Sequence, residues 1–293
     1  MTKHIFWLAS YPKSGNTLTR LILAALFFSK EGRISLDLIK HISNYESTRN
    51  LNFIKKININ DFNSLNKLEI LSKYSTQTQK KENLGLKEDF GFFKTHFANF
   101  KMINNNFTKE DYIRGIIYII RDPRDVLISW SHYANISIKE SIDFITNEKA
   151  CINWFKSKNS LLNNEVIPKV FMSSWDIHVN SWVNSFKKTP KLILKYEDIV
   201  QNKKECILKI VKFLENYYHI KVINIENKIK NIIDTSSIDN LRNEEMIKSK
   251  ENNFSNPFFR VGKSKQWEKI LTADQNKLIC KKFEKTMNKF DYI

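Results

Sequence analysis

The chain has 293 residues, 42% of them hydrophobic, with 48 Lys+Arg against 31 Asp+Glu and a formal net charge of +17. That is enough apolar material for one large core or two small ones, while no charge-free apolar run approaches the ~18 residues a membrane span needs. Cys151, Cys206 and Cys280 are odd in number, far apart and without a Cys-x-x-Cys pair, which argues against a disulfide framework and against a zinc site. The N-terminus enters a strand-like run with no signal-like tandem of charged and apolar segments, so the expected location is cytoplasmic. The lysines are scattered and accompanied by no nucleic-acid-binding motif. The positive balance therefore points to anionic small molecules or acidic polymers, not to DNA or RNA.

In chain order, the apolar run 5–9 reads as a buried strand and leads into Tyr11-Pro12-Lys13-Ser14-Gly15-Asn16-Thr17. Apolar positions Leu18, Leu21, Ile22, Ala25 and Leu26 then give a helix over 16–28. Unpaired N–H groups at such a helix start suit an anion, Lys13 adds a full charge, and Ser14, Asn16 and Thr17 add short polar groups. The lysine precedes the glycine, so this is not a Walker A loop. An ordinary strand–turn–helix corner is the competing description. Residues 30–88 are polar and Asn/Lys-rich and read as an insertion or lid. A second strand over 91–94 runs into Lys94-Thr95-His96, where an imidazole at a strand's carboxyl end can take a proton from a hydroxyl.

A third strand over 115–120 ends at Arg121-Asp122-Pro123, with Asp122 as a helix cap and Pro123 in the first turn. Ser129 lies two turns on, and with Arg121 it could face one phosphate; local Arg121–Asp122 pairing is the equal alternative. Trp175, His178 and Trp182 share a helical face that reads as structural, within a helix over 174–186. A strand over 191–195 and helices over 203–215, 225–233 and 273–290 follow, the last opened by a capping box at Thr272 and Gln275. Residues 249–266 read as a loop carrying Arg260-Val261-Gly262. Short apolar strands separated by helices give an α/β fold: a P-loop-like parallel sheet of about five strands, helices on both faces, in one domain over 1–293.

Together these motifs resemble the sulfotransferase family that uses 3′-phosphoadenosine-5′-phosphosulfate (PAPS). Residues 7–17 look like its 5′-phosphosulfate loop and residues 94–96 like its base segment. Residues 118–129 resemble its 3′-phosphate strand and helix, Tyr196 the tyrosine near the adenine, Thr235 the adenine-flanking segment, and residues 260–262 the last phosphate loop. The resemblance implies His96, Lys13 and Lys94 as catalytic residues. It implies nucleotide binding by Lys13, Ser14, Gly15, Asn16, Thr17, Leu18, Arg121, Ser129, Tyr196, Thr235, Arg260, Val261 and Gly262. It implies PAPS as co-substrate, adenosine 3′,5′-bisphosphate (PAP) as product, no metal, and a small-molecule or glycan acceptor covered in part by 30–88 and 134–170. Leu18, Ser237 and Val261 stand where the family commonly has Trp, Phe and Lys. The charges around residues 268–277 oppose those of the family's dimer motif, so the oligomeric state does not carry over. Two rival readings are an ATP- or GTP-dependent phosphotransferase with a modified loop and a non-catalytic polyanion-binding protein.

Overall fold

The computed structural model describes residues 3–46, 75–86, 88–102, 105–152, 170–252 and 258–293. Its strands are β1 (Ile5–Ser10), β2 (Ser43–Asn44), β3 (Gly91–Thr95), β4 (Lys101–Met102), β5 (Asn105–Asn106), β6 (Ile113–Ile120), β7 (Cys151–Ile152), β8 (Val170–Phe171) and β9 (Lys191–Lys195). The helices are α1 (Asn16–Phe28), α2 (Pro123–Ala134), α3 (Ile138–Thr146), α4 (Trp175–Val183) and α5 (Tyr196–Gln201). They continue with α6 (Lys203–Tyr218), α7 (Ile225–Thr235), α8 (Ile238–Asn252), α9 (Trp267–Ile270) and α10 (Ala273–Lys289). The central sheet runs β2-β3-β1-β6-β9, and β1 pairs with β3 in parallel from Ile5↔Gly91 to Ala9↔Thr95. This is the five-stranded parallel α/β sheet expected from the sequence.

The residues group into two compact units, each assembled from separate stretches of chain. The first comprises Met1–Tyr11, Asn44–Tyr118 and Phe144–Lys191; the second comprises Pro12–Ser43, Ile119–Asp143 and Leu192–Ile293.

The first unit is built on β1, whose six residues are all buried. A strand covered on both faces has no polar side to alternate with, which explains its continuous apolar run. Trp7 packs edge-on to Tyr45 at 5.2 Å, touches Phe107 and Trp182, and satisfies its indole N–H on Thr108 Oγ1 at 3.1 Å. Tyr45 Oη lies 2.5 Å from Thr78 Oγ1 and accepts from Gln79, whose backbone carbonyl lies 2.8 Å from His4 Nε2. Arg114, half-buried in β6, lays its guanidinium over Phe90 at 4.7 Å.

The second unit buries Leu21 through Leu26 of α1, together with Cys206, Ile207, Ile210, Phe213 and Leu214 of α6. Lys228 of α7 donates to the carbonyl of Leu26 at 2.7 Å, supplying a partner for an orphan carbonyl at the end of α1. Asp122 caps α2 by accepting from Arg124 N at 2.9 Å, with Pro123 in the first turn, and Thr272 with Gln275 forms the expected capping box of α10.

Three expectations are corrected. Within 30–88, Ser43–Asn44 is a strand of the central sheet, Tyr45 N donates to Lys94 O at 2.9 Å, and Tyr45 and Glu46 are buried. That part is core and not lid; residues 47–74 lie outside the described residues. The loop expected over 249–266 begins later, because α8 runs to Asn252. Four further helices, α3, α5, α8 and α9, appear where none was expected. Of these, α3 carried a visible signal: Ser137 and Glu140 bond reciprocally, with Ser137 N to Glu140 Oε2 at 2.8 Å and Glu140 N to Ser137 Oγ at 3.2 Å.

Candidate active site

In the second unit, α1 opens at Gly15, which sits at φ +95° with no side-chain cap and no acidic residue in the first turn. The helix therefore presents uncapped N–H groups beside its positive end. A Cβ on residue 15 would run into the ring of Tyr196, so both backbone conformation and space require glycine here. The Ser14 hydroxyl is fully buried with no partner among the described residues. A buried, unpartnered hydroxyl in an uncapped helix-entry loop fits an anion that would complete its hydrogen bonding.

Three cations converge on this loop. Arg121, 4% exposed, donates through Nη1 to Lys13 O at 3.0 Å and through Nη2 to Lys263 O at 3.3 Å, and its guanidinium lies 4.1 Å over the Tyr196 ring. Its Nε is buried and unpartnered among the described residues. Lys13 takes a left-handed backbone (φ +66°), and its ammonium lies between the rings of Phe258 at 4.0 Å and Tyr133 at 4.3 Å. Burial first, then the charges of Arg121 and Arg260 against the pull of Glu245, bring the Lys13 pKa down to about 8. Arg260 is itself lowered, by burial and by Arg121 and Arg242. Positive charges close enough to lower the pKa values of Lys13 and Arg260 mark a field that an anion would relieve.

Asp125 organises the surroundings. Its fully buried carboxylate accepts from Lys265 N at 2.8 Å and Trp267 N at 3.1 Å and lies 3.7 Å from Arg121 Nη2. The Arg260–Val261–Gly262 segment follows Phe259, whose N donates to Glu245 Oε2 at 2.9 Å, and Arg260 bonds Gln266 Oε1 at 2.8 Å. Gly262 has φ +63°. Thr17, Leu18, Val261 and Ser129 are half-buried, and Asn16 is buried in the first turn of α1. Thr235 sits at the end of α7 with its hydroxyl engaged, accepting from Ile34 N at 2.9 Å and donating to Asn231 O at 2.6 Å. Asp122 pairs with Arg124, at 2.7 Å from Nη2, and not with Arg121, so the local pairing weighed in the sequence goes to the other arginine.

In the first unit, His96 directly follows β3 and is buried. Its Nδ1 lies 2.8 Å from the carbonyl of Ser10. A carbonyl only accepts, so Nδ1 carries the proton and the lone pair stands at Nε2. Lys94 is 4% exposed, with Nζ 3.3 Å from Glu46 Oε2 and 3.4 Å from Asn44 Oδ1. His178 is structural, as its helical stripe suggested: Nε2 donates to His96 O at 3.1 Å, and Nδ1 accepts from Tyr118 Oη at 2.8 Å. Burial lowers its pKa to about 3 and keeps the ring neutral. Among the described residues no group of three or more His, Cys, Asp or Glu could hold a metal.

The sulfotransferase domain model matches residues 3–291. This chain belongs to the sulfotransferase family. Its chemistry is that of a PAPS-dependent sulfotransferase. Similar curated proteins include the amine sulfotransferase of Oryctolagus cuniculus, 24% identical over 96% of this chain and 80% of that protein. Sulfotransferase 1A1 of Rattus norvegicus is 29% identical over 60% of this chain and 57% of its own length. Among solved structures, mouse sulfotransferase SULT7A1 complexed with PAP superposes with a TM-score of 0.57 at 18% identity, over 99% of this chain and 85% of that one. Retinol dehydratase in complex with retinol and PAP gives 0.59 at 19% identity, over 98% and 82%. At these identities the structural likeness supports the fold. Among the described residues no helix is long and apolar enough to cross a membrane.

Proposed function

We propose that this sulfotransferase binds PAPS through the loop 13–18 with Arg121, Ser129, Tyr196, Thr235 and residues 260–262, and that His96 is its general base. The observation that carries this reading is the convergence of Lys13, Arg121 and Arg260 on a loop with a buried serine hydroxyl unpartnered among the described residues, where burial and neighbouring positive charge lower the pKa values of Lys13 and Arg260. Bound, PAPS supplies a sulfonate activated by its 5′-phosphate. The N–H groups opening α1, with the hydroxyls of Ser14 and Thr17, hold that phosphate, and Lys13 places a positive charge on the oxygen that departs with it. Arg121 and Arg260 hold the 3′-phosphate, with Ser129 and the Gly262 backbone as further donors. Thr235 contributes backbone and shape, since its hydroxyl is already committed. His96 Nε2 takes the acceptor's proton as the acceptor oxygen or nitrogen forms its bond to sulfur. Lys94 lends positive field while it stays paired to Glu46.

The reading also takes the chain as one sulfotransferase domain over 1–293, cytoplasmic, acting on a small acceptor hydroxyl or amine. The relatives' names support that acceptor class: one is an amine sulfotransferase, and retinol dehydratase is solved with retinol and with androsterone. An acceptor screen with isotope-labelled PAPS, read by mass shift on phenols, aliphatic alcohols, amines and oligosaccharides, tests the class. In the same assay His96→Ala should lower turnover by roughly 10²–10⁴-fold with PAP affinity unchanged. Near-normal turnover in that variant removes His96 from the role.

A further inference from the structure

Glu46 lies in the polar stretch that the sequence marks as an insertion, yet it is 4% exposed and its carboxylate is committed to the base segment. Oε1 accepts from the backbone N of His96 at 2.6 Å and from Thr95 Oγ1 at 2.7 Å, while Oε2 lies 3.3 Å from Lys94 Nζ. All three residues of Lys94-Thr95-His96 thus converge on one side chain. A buried carboxylate persists only when its lone pairs are met by donors, and these three meet them. Thr95 Oγ1 passes the constraint on by accepting from Phe97 N at 3.1 Å.

The consequence falls on the imidazole. The bonds that hold His96 include its N–H on Glu46, its C=O on His178 Nε2 at 3.1 Å, and its ring Nδ1–H on Ser10 O at 2.8 Å. The ring bond selects the tautomer that leaves the lone pair at Nε2. Contacts of Nδ1 with Ser10, to O at 2.8 Å and to Oγ at 3.4 Å, keep the ring in register only if the backbone carrying it does not rotate, and Glu46 clamps the peptide on the N-terminal side of that backbone. We infer that Glu46 is a positioning residue for the sulfonate-transfer reaction: its carboxylate holds the 94–96 segment so that the His96 ring stays docked on Ser10 O with Nε2 unprotonated. This rests on the reading of His96 as the base.

The test separates reach from charge. Glu46→Asp keeps the charge but draws the carboxylate back by one methylene; Glu46→Gln removes the charge but keeps an oxygen able to accept from His96 N and Thr95 Oγ1. Nitrogen-15 histidine spectra of the full chain, with His96 assigned by its loss in His96→Asn, report which ring nitrogen carries the proton. The wild type and Glu46→Gln should show His96 as a single Nδ1–H tautomer, and Glu46→Asp should show a second, Nε2–H, population. PAP affinity measured by calorimetry should be the same in all three. A role confined to the ion pair with Lys94 would disturb Glu46→Gln and spare Glu46→Asp, and that result overturns the inference. So does a His96 ring in Glu46→Asp indistinguishable from the wild type. Failure of the wild type to bind PAP would instead contradict the functional reading, whatever the histidine spectra show.

Discussion

Lys13 is where backbone, charge and packing compete most sharply. Its left-handed φ of +66° costs energy in a non-glycine residue, and its ammonium is withdrawn between two aromatic rings near two arginines. A lysine whose pKa has fallen to about 8 is partly neutral at mild alkalinity, and a bound phosphate favours its charged form. PAP binding should therefore take up protons, about half a proton per site at pH 8, and affinity should weaken as pH rises through 8. Calorimetry in buffers of different ionisation enthalpy measures that uptake, and Lys13→Met should abolish it. The residue types of this cradle were legible in the sequence because a lysine, a serine and a glycine at a strand-to-helix turn carry their chemistry locally. Glu46 was not: its partners are 48 to 50 residues away, and nothing in Asn44-Tyr45-Glu46 marks a carboxylate as buried.

At the level of elements, α2 does more than bear Arg121 at its entrance. Asp125, in its first turn, accepts from the amides of Lys265 and Trp267 and faces Arg121, so one helix fixes the loop that carries Arg260. Asp125→Ala leaves the amides of Lys265 and Trp267 without their acceptor and the buried Arg121 guanidinium without its counter-charge, and should lower the unfolding free energy by about 3–5 kcal/mol in denaturant titrations. PAP affinity should fall in the same variant, because Arg121 and the 260–262 loop lose their common anchor. The strands and long helices were readable because apolar runs and 3.6-residue periodicity come from burial. α8 was missed because it offers little such pattern, with Leu241 as its buried apolar residue. β2 was missed for a different reason: two polar residues make a strand only because β3 provides the ladder.

On the scale of the whole molecule, the parallel sheet and the order of its motifs were legible from 293 residues, while the acceptor was not. The stretches expected to cover it, 30–88 and 134–170, carry no pattern that encodes a ligand. Global stability should show a pH signature from the first unit's core. His178 has a folded pKa near 3 against about 6.5 unfolded, so the unfolded chain binds the extra proton and stability falls as pH drops below 6.5. The loss from this group should reach about 2 kcal/mol at pH 5, and the acid slope should flatten in His178→Gln by that amount. The central claim concerns the anion cradle, and a calorimetric titration of the full chain with PAP, adenosine 5′-monophosphate and ATP–Mg²⁺ addresses it directly. Arg121 and Arg260 on the 3′-phosphate should make PAP bind roughly a hundredfold tighter than the monophosphate. Equal affinity for the two, or tighter binding of ATP–Mg²⁺ than of PAP, would contradict it.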